Sequence, residues 1–339
     1  MVITNFHYMK IMIYKQYELF LALHVVYLLK HPELREEFDF VEIPNIDYVK
    51  ELEQLIPIEH NTEVISYIMN YQDSSFPILF SIGLNDSYQI DENKMQIEQV
   101  KSLMNYGTLE ELTKELERIA KEIHWDDFFQ EHLPLYQEFV NQVCIFPKDL
   151  DLSDLSHFYS TSQKTYIVIP SFLMNGGFGV EDRNENMYYV KGFQYCKEKN
   201  NFHVDPEYFV ECMFHEFSHP IVNPIVYRYF KNTELLNQFY EVALKRDLPF
   251  AYRQPSVLLC EYLVRANAYL LTKTYFNSNM HDWIIDHDWL IDHGFSFLPD
   301  CVSFTQENLP QYENYEKFVQ NAIPMFLEHC LECAKKKDK

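Results

Sequence analysis

Residues 205–224 read DPEYFVECMFHEFSHPIVNP, and what this stretch forms decides the rest. Asp205 is a helix-capping residue, Pro206 suits the first helical position and Val204 can staple onto Phe209, so a helix starts at 206. His215 and His219 then lie one turn apart on one face, where two imidazoles reach a single Zn2+ at about 2.0–2.1 Å. Glu216 sits about 100° further round, free to face a water rather than the metal. Hydrolysis needs that division of labour, since the cation lowers the pKa of water to about 7 and the carboxylate takes the proton. A surface histidine pair on an amphipathic helix would carry the same letters. Phe209, Val210, Met213, Phe214 and Phe217 oppose that reading, because they make nearly every side of the helix apolar and predict burial. Buried imidazoles and a carboxylate without partners cost on the order of several kcal/mol, and a metal supplies the partner. Pro220 follows His219 directly. A residue before proline avoids the α region, so the helix is expected to stop or kink at His219, with Pro224 preventing a restart.

Two histidines need a third ligand that leaves one position open for water. Residues 256–271, SVLLCEYLVRANAYLL, form an apolar helical stretch whose only charged residues are Glu261 and Arg265. Their i, i+4 spacing lets them meet. Glu261 is the favoured ligand, with Arg265 beside it or facing substrate; a buried Glu261–Arg265 pair with no metal role is the alternative. Glu241 lies nearer to His219 in the sequence, but its helix, 234–247, is more polar and reads as exposed. An oxyanion-stabilising group is also required. Tyr252, Tyr262, Arg265, Tyr269 and His293 all qualify. In 281–293, HDWIIDHDWLIDH, the residues His281, His287 and His293 stand among four aspartates. Spacing of six fits neither a helix face nor a strand face, which favours a polar loop over a second metal site.

Around these motifs the chain divides in texture. The part before residue 150 is mostly helical, with apolar periodicity at 18–29, 61–71, 109–123 and 125–146. After it, 165–172 (TYIVIPSF) and 187–193 (MYYVKGF) read as strands, with a polar turn at 181–186. Four of the seven glycines fall at 176, 177, 179 and 192. Because glycine admits a second backbone, the stretch 175–179 is a candidate edge for pairing with an extended substrate, or simply a flexible hairpin. Helices resume from 206, including long apolar runs at 256–271 and 311–334. The expectation is α+β: a mostly helical region 1–150, then a zincin-like region 151–339 with a small sheet and the metal helix, possibly one continuous domain.

The 51 acidic against 28 basic residues leave a net charge of −23, which repels phosphate backbones and anionic lipid. Nucleic acid and membrane are therefore poor candidates as partners; the expected partner, a peptide or protein substrate, comes from the metallohydrolase motif and not from the charge. The longest apolar stretch, 19–29, is too short for a membrane span, and residues 1–14 (MVITNFHYMKIMIY) lack the form of a secretory leader. Seven scattered cysteines suit reduced thiols and a cytoplasmic location. Cys330 and Cys333 beside His329 form a lone CxxC, more often incidental than metal-binding.

HEFSHPIVNP at 215–224, followed by EYLVRA at 261–266, resembles an uncharacterised bacterial family of gluzincin-type zinc metallopeptidases classed as a domain of unknown function. The resemblance extends less sharply to Glu18-Leu19-Phe20, to the strand before the glycine-rich segment and to His293-Gly294-Phe295. It implies that His215, His219 and Glu261 hold Zn2+ and that Glu216 is catalytic. A zinc hydrolase of a non-peptide amide, or a non-catalytic zincin-fold binding or scaffold protein, would share most of these residues. The presence of Glu216 speaks against the scaffold.

Overall fold

A computed structural model describes residues 2–6, 9–71, 73, 75–199, 201–202, 204–243, 252–276, 279–280, 283 and 294–337. The chain is α+β and forms two compact units. One comprises Met1–Phe146 with Lys164–Pro206, the other Pro147–Gln163 with Glu207–Lys339.

In the first unit, strands β1 (Val2–Phe6) and β2 (Met9–Met12) open the chain, and helix α1 (Lys15–Lys30) follows. The apolar run 19–29 places hydrophobic side chains on every side of α1, and residues 16–26 are all buried. Each large apolar side chain so enclosed contributes about 1.5–3 kcal/mol, so packing rather than propensity holds this helix. Around it come α2 (Asp47–Leu55), α3 (Thr62–Ile68), α4 (Phe76–Ile82), α5 (Ile97–Leu103), α6 (Leu109–Glu122), α7 (Trp125–Glu131) and α8 (Leu133–Val143). Thr108 and Glu111 start α6 with a reciprocal capping box. The single helix expected over 125–146 is instead α7 and α8. Pro134 takes the second position of α8, where its missing N–H costs nothing, and the chain turns at His132.

The sheet of this unit is completed by β3 (Tyr166–Ser171), β4 (Gly177–Glu181) and β5 (Met187–Gly192), in the order β1-β2-β3-β5-β4. β2, β3 and β5 run parallel, while β1 and β4 pair antiparallel at the two edges. The N-terminal strands are additions to the expected helical region. Pro170 is tolerated in the fully buried β3 because β2 pairs with β3 only as far as Val168. The turn between β4 and β5 is built on Asp182, whose Oδ1 accepts from the backbone N–H of Asn184 and Asn186. The glycines have a structural task here. Gly176 adopts φ +84°, and a Cβ on Gly192 would stand 2.0 Å from the Met174 carbonyl oxygen. The segment 174–176 thus folds directly over Gly192. β4 is an edge strand of the sheet. A small hairpin, β6 (Tyr195–Cys196) with β7 (Asn201–Phe202), ends the unit.

The second unit is helical: α9 (Ser153–Tyr159), α10 (Pro206–Phe230), α11 (Glu234–Ala243), α12 (Pro255–Thr272), α13 (Leu298–Asn308), α14 (Tyr315–Asn321) and α15 (Ile323–Lys337). The run 311–334 is divided between α14, capped by Asn314, and α15, with Pro324 in its first turn. No described helix is long and apolar enough to cross a membrane.

Candidate metal centre

α10 begins at Pro206, as its sequence signals, but it does not stop at His219. It runs unbroken for 25 residues with Pro220 and Pro224 inside. Each interior proline removes one backbone hydrogen bond and costs about 3 kcal/mol. The carbonyls freed are those of Glu216 and Pro220, on the row 216–220–224, where Pro224 is exposed and the other two are half-buried. Water can solvate them there. The opposite side, through Phe209, Val210, Met213, Phe214, Phe217, Val222, Val226 and Phe230, is buried and outweighs the loss.

His215 and His219 project from α10 with ring centroids 4.7 Å apart. α12 is buried almost all round and brings Glu261 to them. Nε2 of His215 and Nε2 of His219 are 3.0 Å apart. Glu261 Oε1 lies 3.3 Å from His219 Nε2, and Oε2 lies 3.7 Å from His215 Nε2. Tetrahedral zinc with ligand bonds of about 2.0–2.1 Å sets its ligands about 3.3–3.4 Å apart. The three edges bracket that spacing. Among the described residues this is the only group of three or more His, Cys, Asp or Glu side chains gathered closely enough to hold a metal ion. Its side chains are 13%, 18% and 9% exposed for His215, His219 and Glu261, so the donors meet water on one side only.

The neighbours suit the ligand role. His219 Nδ1 lies 3.3 Å from Asn223 Oδ1, one turn on, an acceptor that suits the tautomer with its proton on Nδ1 and its Nε2 lone pair free for a metal. Arg265 Nη2 stands 3.0 Å from Glu261 Oε2 and donates to the Tyr252 hydroxyl oxygen at 3.3 Å, while its guanidinium covers the Phe295 ring at 5.5 Å. Oε2 is buried, with the Arg265 ion pair but no aligned hydrogen bond. A carboxylate so placed, facing two imidazole nitrogens, forms an anionic corner that a divalent cation would satisfy. The donor set therefore fits a divalent metal. Burial, followed by the charge of Glu261, holds the Tyr252 hydroxyl above the ordinary tyrosine pKa against the opposing effect of Arg265. The phenol stays protonated. Glu216 is half-buried and outside the ligand group, yet close enough for its charge to act on Tyr252.

With that geometry in place, comparison with known families gives one match. A family model described as a domain of unknown function, DUF4932, covers residues 35–324. The chain belongs to this family. Its span includes His215, Glu216, His219, Glu261 and Arg265, and its description assigns no chemistry. No curated protein and no solved structure matches the chain.

Within the DUF4932 span the other candidates separate. Glu241 is exposed on α11, outside the ligand group. The Tyr262 hydroxyl is committed to the Gly294 carbonyl at 2.9 Å and the Phe297 N–H at 3.3 Å, a packing role. The Tyr269 ring lies against Trp283. His281, His287 and His293 fall outside the described residues. Cys330 is fully buried and Cys333 Sγ sits 3.5 Å from His329, outside any group of three ligands. Asn223 was not singled out by the sequence reading, although its i+4 spacing from His219 is a usable signal.

Proposed function

We propose that this chain is a zinc-dependent hydrolase, a metallopeptidase of the gluzincin type with a zincin-like catalytic arrangement, acting on peptide or protein substrates. His215, His219 and Glu261 hold the Zn2+, and Glu216 is the catalytic acid–base. The observation that carries this reading is the donor triangle of 3.0, 3.3 and 3.7 Å, closed by a buried carboxylate from a second helix. A surface histidine pair gives no reason for that third corner.

Zinc bound there supplies Lewis acidity, polarising a carbonyl and lowering the pKa of water to about 7. The remaining work falls to side chains. Glu216 takes one proton from the attacking water as its oxygen bonds to the carbonyl carbon. It then delivers that proton to the leaving nitrogen as the C–N bond breaks. Tyr252 accepts from Arg265, so its own hydroxyl proton is available to the carbonyl oxygen as negative charge grows there. Arg265 restrains Glu261 through Oε2, which leaves Oε1 for the metal. No disulfide joins the cysteines among the described residues, which suits a reducing cytoplasm.

The test is metal analysis joined to a peptide-library assay. The purified protein is expected to carry about one zinc, as a four-coordinate site of this kind holds a single ion. Glu216→Gln should keep that zinc and lose hydrolysis by on the order of 10²–10⁴-fold. Wild type and variant behaving alike on every peptide would sink the hydrolase reading.

A further inference from the structure

The segment Pro147–Gln163 leaves the first unit and returns to it, and its only helix is α9. That helix ends on Tyr159, whose large side chain is fully buried. The Tyr159 hydroxyl donates to Ser218 Oγ at 2.6 Å, and Ser218 Oγ donates to the Phe214 carbonyl at 2.6 Å. From the other side, Asn267 Nδ2 donates to the Tyr159 oxygen at 3.1 Å and to the Tyr315 oxygen at 2.8 Å. Ser218 and Asn267 are both fully buried. Ser218 directly precedes the ligand His219 on α10, and Asn267 is on α12, the helix of the ligand Glu261. A chain of donors with one direction therefore runs from one ligand helix, through α9, to the other.

Two features mark this chain as more than packing. α10 lacks two backbone hydrogen bonds just beyond Ser218, because of Pro220 and Pro224. The helix is therefore weakest beside its second ligand, and a serine bonding back to the carbonyl four residues earlier tends to bend it further. Apolar contacts resist separation but are non-directional, so they oppose sliding of one helix along another weakly. Hydrogen bonds, which need both distance and angle, oppose it strongly. The second feature is Asn267 Oδ1, buried without a hydrogen-bond partner among the described residues. A position selected for stability alone would favour an apolar residue there over a half-satisfied amide.

We infer that Tyr159, Ser218 and Asn267 are positioning residues, which lock α10 against α12 and thereby set the distance from His215 and His219 to Glu261. The excursion 147–163 is the brace that delivers Tyr159 between the two helices. This inference rests on the metal-binding reading above.

The experiment measures Zn2+ affinity by chelator competition, and the visible absorption of the Co2+-substituted full-length protein, for wild type and variants. Tyr159→Phe removes one oxygen and keeps the ring. It should weaken zinc binding by about 10–100-fold, as loss of a ligand's supporting contact does, and change the intensity of the cobalt bands. Ser218→Ala should act in the same direction, and decides the matter if Tyr159→Phe does not fold. Ser218→Thr, which keeps the hydroxyl, should restore affinity. Leu327→Ala opens a cavity on α15, outside the chain of donors and the two ligand helices, and should lower Tm without moving affinity or spectrum. Wild-type affinity and spectrum in Tyr159→Phe and Ser218→Ala overturn the brace and leave the metal reading standing. An affinity loss that merely tracks Tm, as shown by Leu327→Ala behaving alike, also overturns it. A wild-type protein that takes up neither Zn2+ nor Co2+ removes both.

Discussion

α1 and the α10–α12 pair each set histidine and glutamate among apolar side chains, fully buried on α1 and partly shielded between α10 and α12, and they resolve the cost in opposite ways. On α1, Glu18 and His24 are fully buried. Tyr136 donates to Glu18 Oε2 at 3.0 Å, and burial pushes the Glu18 carboxyl up to about 7. His24 Nδ1 bonds the Phe20 carbonyl at 2.9 Å, the Tyr71 hydroxyl meets Nε2 at 3.1 Å, and burial lowers the imidazole to about 4. Burial and hydroxyl contacts thus shift both groups towards their neutral forms. At the second site two imidazole nitrogens and a carboxylate point at one another at ligand spacing, with an arginine behind the carboxylate. Neutral groups in hydroxyl contact are structural; converging donors ask for a cation.

The sharpest way to break this contrast is to remove the third donor. Glu261→Ala should cost more zinc affinity than the roughly 10–100-fold typical of losing a ligand's neighbour, whereas Glu241→Ala should cost none. Titration with a zinc chelator reads both. The reverse outcome would exchange the two carboxylates and leave the α12 charges as a buried ion pair. Next in size is the pH response of α1. Glu18 titrates near 4.5 when unfolded and near 7 when folded. The stability it contributes is complete below pH 4.5 and lost as pH rises to 7. For His24 the values are 6.5 and about 4, so its contribution is complete above 6.5 and lost as pH falls to 4. Each change is worth about 3 kcal/mol. Over the shared window the two slopes oppose each other and cancel. Glu18→Gln should therefore expose the histidine slope, with stability falling by about 3 kcal/mol from pH 6.5 towards pH 4, as read by denaturant unfolding across pH. A profile as flat as the wild type would show that these groups are not insulated as described.

How far the sequence announced this contrast differs between its two halves. HEFSH and the lone charged pair on 256–271 named the second site almost entirely, because helical spacing converts directly into a shared face. The α+β class was equally legible. The burial of α1 was legible too, yet nothing local distinguishes His24 in LFLALHVVYLL from a ligand. The difference lies in Tyr71 and Phe20, and a contact such as Tyr71 is a tertiary fact. Proline behaved in both ways. Pro134 and Pro324 stand at the second position of helices and divide runs that periodicity read as continuous, while Pro220 and Pro224 sit inside one, where burial of the opposite face overrides the local preference. The strands β1 and β2 were missed because short N-terminal segments carry little periodicity, and β2 gains its place only by pairing with β3.

The smallest expected effect is also the most discriminating, because it compares two histidines by what faces Nε2. Both His24 and His219 have Nδ1 near an oxygen acceptor, the Phe20 carbonyl in one case and Asn223 Oδ1 in the other. Such an acceptor suits a proton on Nδ1 and a lone pair on Nε2, the tautomer a metal ligand needs. On α1 the Tyr71 hydroxyl lies against Nε2 and the Ile68 backbone is a further partner of the ring; on α10 Nε2 faces His215 and Glu261. If His219 is a ligand, Asn223 matters by fixing its tautomer and ring orientation, and Asn223→Ala should lower zinc affinity by roughly tenfold, the low end for such a contact. Because Asn223 is half-buried and can be replaced by water, Tm should barely move. A structural histidine predicts the opposite pattern: a change in Tm and none in metal affinity. Calorimetric zinc titration together with thermal unfolding of the one variant separates the two, since a ligand's partner is read by the metal and a core partner by the melt.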